Sequence, residues 1–127
     1  MQLTNLLSAL ALARAASAEC FPNGEAWGAD TSTPLVFAKN LCATGALAGA
    51  FGPDAQRPAL PSEKRKCVDW DGRKANFWVY HRKPGFANLT ADACYDGLKK
   101  EVAGCAKGGK TFYVNWAYSA DVNKGSC

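Results

Sequence analysis

Six cysteines constrain the fold of this 127-residue chain more than any other feature. An even number of cysteines in a small exported domain predicts disulfide bonds, because an oxidising compartment preserves them. Zinc binding is the alternative, but the chain has one histidine and no C-x-x-C pair, so we expect no metal site. We therefore expect three disulfides, whose pairing the spacing leaves open, among Cys20, Cys42, Cys67, Cys94, Cys105 and Cys127.

The N-terminus resembles a secretory signal peptide. An apolar run over residues 6–13 precedes the small residues Ala16-Ser17-Ala18, a pattern typical of cleavage before Glu19. The apolar run is too short to cross a bilayer. We predict that residues 1–18 are removed and that residues 19–127 form one cysteine-rich domain, which is secreted and extracellular.

The charge of the mature chain is mild. Removal of Arg14 reduces the 15 basic residues to 14 against 11 acidic ones, a net charge of +3. Nucleic-acid binding usually needs a denser basic surface. We expect no nucleic-acid partner, no membrane span and no cofactor.

The order of predicted elements is β-α-β-β-α-β. A short strand at Glu25–Trp27 comes first, and a helix starts at Thr33-Pro34. Residues 52–66 carry three prolines and are predicted to form a loop. Asp71-Gly72 is typical of a two-residue hairpin turn, which places Trp70 opposite Arg73, Asp69 opposite Lys74 and Val68 opposite Ala75.

A second helix and a last strand complete the predicted fold. Thr90 has the position of an N-cap, and apolar residues from Ala91 to Cys105 recur at helical spacing. The strand covers Thr111–Tyr118. This order predicts an α+β protein, a single disulfide-stapled α/β sandwich with two helices on an antiparallel sheet.

Strand periodicity separates the aromatic residues into two faces. Phe77, Val79 and His81 share one face with Val68, Trp70 and Ala75, and Phe112, Val114 and Trp116 join them in the predicted core. The opposite face carries an aromatic and polar set that we interpret as a glycan-binding surface: Trp78, Tyr80, Tyr113 and Asn115, with Lys74 and Asp69 at the edge. The alternative is that the loop over residues 52–66, or the Cys20 arm with Phe21 and Trp27, covers Trp78 and Tyr80.

Signals for catalysis are weak, and we expect no enzyme. His81 with Glu25 or Glu63, helped by Arg73 or Arg82, is the sole combination that suggests a small secreted ribonuclease, and their spacing does not bring them together.

Two processing signals remain. Asn88-Leu89-Thr90 is an N-glycosylation sequon, and Lys64-Arg65 is a dibasic pair that a secretory protease could cut.

The last third of the chain resembles a family. The resemblance covers mainly residues 89–127 and rests on Cys94, Leu98, Glu101, Cys105, Gly108, Gly109, Trp116, Asp121, Asn123, Gly125 and Cys127, with Val122 where the family has proline. This pattern is similar to that of small secreted glycan-binding, lectin-like proteins of fungi.

The resemblance implies an exported α/β sandwich that binds a glycan or glycoprotein without catalysis. It transfers no binding residue individually. The element order is also similar to that of killer-toxin-like fungal effectors, so a virulence protein acting on a host or competitor cell surface is the alternative. The glycan, the target and the oligomeric state stay open.

Overall fold

The computed structural model describes residues 16–127. Within them lie two helices, α1 (Ser32–Ala43) and α2 (Ala91–Ala103), and seven strands: β1 (Ala16–Cys20), β2 (Gly49–Phe51), β3 (Glu63–Trp70), β4 (Arg73–His81), β5 (Ala87–Leu89), β6 (Gly108–Tyr113) and β7 (Trp116–Lys124). No helix among these residues is long and apolar enough to span a membrane. The predicted leader lies outside the described residues except for Ala16–Ala18.

Five strands form one antiparallel sheet in the order β1-β6-β7-β4-β3, and β2 pairs with β5 in a second, two-stranded sheet. The two helices pack against each other, and α2 also packs on β6 and β7. We call the sheet face toward the helices the inner face and the opposite one the outer face. The predicted α+β fold, with two helices and antiparallel sheets, is confirmed.

The β3–β4 hairpin has the predicted register. Asp71 and Gly72 both adopt positive φ, of 55° and 72°, as a two-residue turn of this type requires. Trp70 pairs with Arg73, Asp69 with Lys74, and Val68 with Ala75. The alternation along β4 follows, so Ala75, Phe77, Val79 and His81 are buried on the inner face.

The last predicted strand is two strands. A turn at Val114-Asn115 separates β6 from β7. Arg82 holds this turn, because its guanidinium donates to the Tyr113 carbonyl and its backbone N–H donates to the Asn115 carbonyl at 2.8 Å. The prediction of one strand over Thr111–Tyr118 was therefore wrong. The sheet faces predicted for Tyr113 and Phe112 from this single strand were also wrong.

Three other element boundaries differ from the prediction. Glu25–Trp27 is not a strand, since only isolated main-chain bonds join it to Val122 and Ala106, and β1 takes its place. Helix α1 begins at Ser32, whose N–H donates to the Asp30 carboxylate at 2.9 Å. The loop after Gly52 ends at Ser62, because β3 already starts at Glu63.

The core lies between the inner face and the helices. Phe77 and Val79 contact it from the sheet, Leu98 and Val102 from α2, and Trp27 fills the end beside Trp70. Tyr118 approaches α2 so closely that a Cβ at Gly97 would lie 2.5 Å from its ring. Only glycine at this position therefore allows the ring to lie on the helix.

Three disulfides connect the parts of the fold. Cys42–Cys94 joins the two helices inside the core, Cys20–Cys105 ties β1 to the segment after α2, and Cys67–Cys127 holds the C-terminal residue on β3. All six cysteines are paired. The expected three disulfides are confirmed, and both edge strands of the large sheet carry one.

Candidate functional site

The centre of the outer face is a row of side chains that crosses five strands. Cross-strand partners on an antiparallel sheet point to the same side. The register therefore aligns, from β3 to β1, Arg65, Trp78, Ser119, Lys110 and Glu19. Because Ser119 is small, it leaves space between the indole of Trp78 and the side chain of Lys110.

An aromatic cluster surrounds Trp78. Its ring stacks on Tyr80, with ring centroids 5.6 Å apart and planes inclined by 19°, and meets the edge of Phe112 at 6.5 Å. Ala117 lies between Tyr80 and Phe112 in the register and is fully buried. The cluster thus seals the middle of the outer face, while Trp78 itself stays half-buried.

Positive groups lie around this cluster. The Lys110 ammonium is 5.1 Å and the Arg65 guanidinium 5.6 Å from the centre of the Trp78 ring, and Arg82 is 5.1 Å from that of Phe112. Arg65 forms an exposed ion pair with Glu63 at 2.8 Å. These distances fall within the range in which a cation interacts with the face of an aromatic ring.

Beside Trp78 the outer face has a depression of about 350 Å³, which we call the Trp78 pocket. This volume is near the low end of the roughly 300–1,000 Å³ of small-molecule sites. Gly108 pairs with Asp121 at the edge of the pocket and contributes no side chain to it. Phe21 is held next to Gly108, because its backbone N–H donates to the Gly108 carbonyl. The pocket side chains are Phe21, Arg65, Asn76, Trp78, Lys110, Ser119 and Asp121.

Hydrogen-bonding groups lie on one side of the Trp78 pocket. Asn76 and Asp121 are cross-strand partners in the row next to Trp78 and Ser119. One Asp121 carboxylate oxygen, Oδ2, accepts from the Asn123 amide at 3.1 Å. The site therefore combines a flat aromatic ring with an amide, a hydroxyl, a carboxylate and two cationic groups.

The structure brings together two of the six residues predicted for this surface. Trp78 and Tyr80 share the outer face and stack on each other. Tyr113 lies on the inner face, where its hydroxyl accepts from the Lys100 ammonium of α2 at 3.1 Å. Asn115 lies in the turn after β6.

The two edge residues lie farther along the hairpin. Lys74 and Asp69 are a cross-strand pair near the turn. The Asp69 carboxylate already accepts from the backbone N–H of Cys127 at 2.7 Å. Asp69 thus helps to fix the C-terminal tail, and neither residue lines the Trp78 pocket.

Sequence reasoning missed most of the pocket. Arg65 could have been found, because the predicted hairpin register extends to it and places it opposite Trp78. Lys110, Ser119 and Asp121 could not, since their positions depend on the pairing of β7 with β4 and with β6, which the sequence does not signal. Of the predicted Cys20 arm, Phe21 lines the Trp78 pocket, whereas Trp27 is buried in the core.

A second depression, of about 250 Å³, lies on the helix side of the molecule. Tyr113 and Tyr118 meet edge to face at 5.9 Å beside Asp96 and Lys100 of α2. Burial raises the pKa of Tyr118 to about 12, with smaller contributions from Tyr113 and Asp96. This phenol is therefore neutral at physiological pH and forms part of the packing.

His81 is buried on the inner face. Its ring is 4.7 Å from that of Trp116, and burial lowers its pKa below the usual value. Glu63 pairs with Tyr80 and belongs to the outer face, so the structure does not bring it to His81. Arg73 donates to the carbonyls of Ala26 and Trp27 and is used in packing.

The processing signals lie in paired strands. Asn88 is an exposed residue of β5. Lys64 and Arg65 belong to β3, where they pair with Val79 and Trp78, and Lys64 donates to the Ala48 carbonyl. A protease would have to unpair this strand before cutting it.

Residues 16–127 contain no group of three or more histidine, cysteine, aspartate or glutamate side chains arranged to hold a metal ion. No protein-family model matches the chain, and no curated protein matches it in sequence. The Trp78 pocket is therefore the feature of the molecule from which we infer a function.

Proposed function

We propose that this protein binds carbohydrate in the Trp78 pocket and acts as a secreted, lectin-like protein without catalysis. The observation that carries the proposal is the half-buried Trp78 ring flanked by Asn76, Ser119 and Asp121. A sugar ring has an apolar C–H face and a rim of hydroxyl groups. The first packs on an aromatic ring, and the second exchanges hydrogen bonds with amide, hydroxyl and carboxylate groups.

Rigidity supports the same proposal. Every pocket side chain except that of Phe21 belongs to a strand of the large sheet, and Cys67–Cys127 and Cys20–Cys105 fix the two edges of that sheet. A site held on rigid strands loses little conformational entropy when a ligand binds. Weak contacts to a sugar can therefore yield measurable affinity.

The proposal includes export. The three disulfides fit an oxidising compartment. Cleavage before Glu19 would leave β1 with Glu19 and Cys20, since Ala16–Ala18 would be removed. Expression through a eukaryotic secretory pathway followed by N-terminal sequencing tests this point; a mature N-terminus at Glu19 is expected, and a retained leader would contradict it.

The binding test is a glycan array, followed by titration calorimetry with the best hit. Trp78→Leu keeps an apolar side chain but removes the flat ring, so we expect affinity to fall at least about tenfold. Tyr113→Leu is the matched control, because it makes a similar change on the inner face and should leave affinity unchanged. Near-UV circular dichroism verifies that both variants keep the fold.

A well-folded protein that binds no glycan would overturn the proposal. Equal losses in Trp78→Leu and Tyr113→Leu would place the site elsewhere. Cell killing or a host response without glycan binding would favour the effector alternative, in which the target is a protein on the surface of another organism.

A further inference from the structure

We propose that the Trp78 pocket selects sugars that carry a carboxylate, and that Lys110 binds the negative charge. This inference rests on the carbohydrate-binding function proposed above. It depends on a different observation, the arrangement of charged groups around the pocket. These groups also assign the orientation in which such a sugar binds.

Lys110 is placed to contact a ligand that stacks on Trp78. Ser119 lies between the two residues in the cross-strand row, and the Lys110 ammonium is 5.1 Å from the indole centre. A carboxylate at the edge of a stacked sugar ring would therefore be within reach of this ammonium. Arg65, on the other side of Trp78, is a second cation of the pocket.

Lys110 forms no ion pair within the part of the chain that the structure describes. The ion pairs among residues 16–127 join Arg57 to Asp54, Arg65 to Glu63 and Arg73 to Asp71, and none includes Lys110. Glu19 is its cross-strand partner on β1, yet the two side chains form no ion pair. Lys110 is thus the cation of this pocket that a ligand can engage without breaking an internal ion pair.

Asp121 gives the pocket a second, negative end. It lies one row from Trp78 and Ser119, which is two residues or about 7 Å along the strand. A ligand carboxylate is repelled by Asp121 and attracted by Lys110, whereas ligand hydroxyl groups donate favourably to Asp121. A carboxylated sugar therefore has one preferred orientation, with its charge toward Lys110 and its hydroxyl groups toward Asn76 and Asp121.

The same arrangement disfavours a nucleic acid. A polynucleotide carries a charge on every phosphate and needs a continuous basic track. Here Glu63 lies beside Arg65, and Asp121 lies on the other side of the pocket. The pocket therefore fits one negative charge at one end, with neutral polar groups at the other.

Two matched pairs of ligands test the inference by titration calorimetry. Trigalacturonic acid is compared with its methyl ester, and 3′-sialyllactose with its methyl ester, so that each pair isolates the carboxylate and the two pairs distinguish hexuronic from nonulosonic acids. We expect the acidic member of at least one pair to bind about tenfold more tightly. The difference should shrink in about 0.5 M NaCl, which screens exposed charges.

Variants of Lys110 assign the preference to this residue. Lys110→Met should remove the advantage of the acidic ligand, and Lys110→Arg should retain it. Lys99→Met is the matched control, because Lys99 is an exposed lysine on α2 near Tyr95. Equal loss of the preference in Lys110→Met and Lys99→Met would overturn the assignment to Lys110.

The remaining outcomes separate this inference from the proposed function. Equal affinity for both members of each pair, with both lost in Trp78→Leu, overturns the carboxylate preference and leaves carbohydrate binding intact. No binding to these ligands or to a neutral glycan array overturns both proposals. Binding of a short single-stranded RNA that requires Trp78 and Lys110, without sugar binding, also overturns both and identifies a nucleic-acid site.

Discussion

Trp78 and Lys110 lie on opposite sides of Ser119 on the outer face, with the Lys110 ammonium 5.1 Å from the centre of the indole ring. The two residues come from strands separated by a third, and they are 32 positions apart in the sequence (110 minus 78). Their proximity is thus a product of the sheet order. It joins an aromatic surface to an ammonium that forms no ion pair with any described residue, and both proposals depend on it.

Glu101 is expected to make stability depend on pH. It is buried, its pKa is raised by burial, and the Thr111 hydroxyl donates to its carboxylate. The folded protein therefore holds this proton to higher pH than the unfolded chain, so the contribution to stability is present below about pH 4.5 and is lost as the pH rises through the folded-state pKa. In Glu101→Gln, the free energy of unfolding should not show this decrease as the pH rises.

Urea unfolding of both proteins from about pH 4 to about pH 8 measures the effect. The difference in unfolding free energy should move in favour of Glu101→Gln as the pH rises. Glu63→Gln is the control, because Glu63 is exposed on the edge strand. A constant difference between Glu101→Gln and wild type would contradict the prediction.

His81 should change the pH dependence of stability in the direction opposite to Glu101. Burial lowers its pKa, so the unfolded chain takes up a proton near pH 6.5 that the folded protein accepts only at lower pH. Stability therefore falls as the pH drops below about 6.5. His81→Phe keeps a ring against Trp116 and should remove this part of the acid sensitivity in the same urea series. An unchanged slope would show that the histidine is not the group responsible.

The same variant also tests the ribonuclease alternative. His81→Phe removes the chain's one histidine. Because His81 is only 6% exposed, on the inner face, we expect any effect of the substitution to appear in stability alone. RNA cleavage by the wild type that disappears in a folded His81→Phe protein would support catalysis by this histidine.

Removal of the Cys67–Cys127 disulfide should destabilise the protein without destroying the pocket. The bridge closes 60 residues of sequence, for which chain entropy predicts roughly 4 kcal/mol. The double variant Cys67→Ser/Cys127→Ser should therefore unfold at lower urea concentration. Its affinity for the best glycan should stay within about threefold of wild type, because neither cysteine lines the pocket and the pairing of β3 with β4 still holds Arg65 opposite Trp78.

Loss of the Cys42–Cys94 disulfide should lower the free energy of unfolding more than loss of Cys67–Cys127. It spans 52 residues and lies in the core between α1 and α2, where Cys42 and Cys94 are almost completely inaccessible. Cys42→Ala/Cys94→Ala would add a packing defect to the entropy term. A smaller loss of unfolding free energy than in the Cys67→Ser/Cys127→Ser variant would contradict this ranking.

Thr90 serves two roles that substitutions can separate. Its hydroxyl accepts from the Ala93 N–H at 3.1 Å as the N-cap of α2, and it completes the sequon of Asn88, an exposed residue. We expect Asn88→Gln to remove the N-linked glycan without changing the free energy of unfolding. Thr90→Ala should remove the glycan and lower the unfolding free energy by about 1 kcal/mol, whereas Thr90→Ser should keep both.

Intact-mass measurement of protein from a glycosylating host, with urea unfolding of deglycosylated samples, checks these three variants. An unmodified wild type would contradict the glycosylation. Equal stability of Thr90→Ala and wild type after deglycosylation would contradict the capping role.

The sequence predicted local structure well where one chemical signal dominated. Asp71-Gly72 specified the hairpin turn, and this turn fixed which residues of β3 and β4 face the core. Thr90 marked the start of α2. In both places the determining contacts lie within a few residues, so periodicity and turn chemistry suffice.

The same reasoning failed where a distant contact decided the structure. Val114-Asn115 lacks the glycine of a typical hairpin turn, and the turn is held by Arg82, more than 30 positions earlier. Without it, parity placed Tyr113 outward and Phe112 inward, the reverse of what the structure has. Trp78 was found because its strand belongs to the predicted hairpin, and Lys110 was missed because its strand ends at the turn that was not predicted.

The bridge between Cys20 and Cys105 also determines how far the molecule can be stretched. The shortest covalent path from Cys20 to Cys127 crosses this bridge and then follows only residues 106–127. At roughly 3.3–3.6 Å per residue those 22 residues extend to about 75 Å, whereas without this bridge the shortest path would follow the 47 residues from 21 to 67 (67 minus 20) and the Cys67–Cys127 bond, about 160 Å. Tension applied between the two ends therefore passes through β6 and β7 and bypasses β4, the strand that bears Trp78.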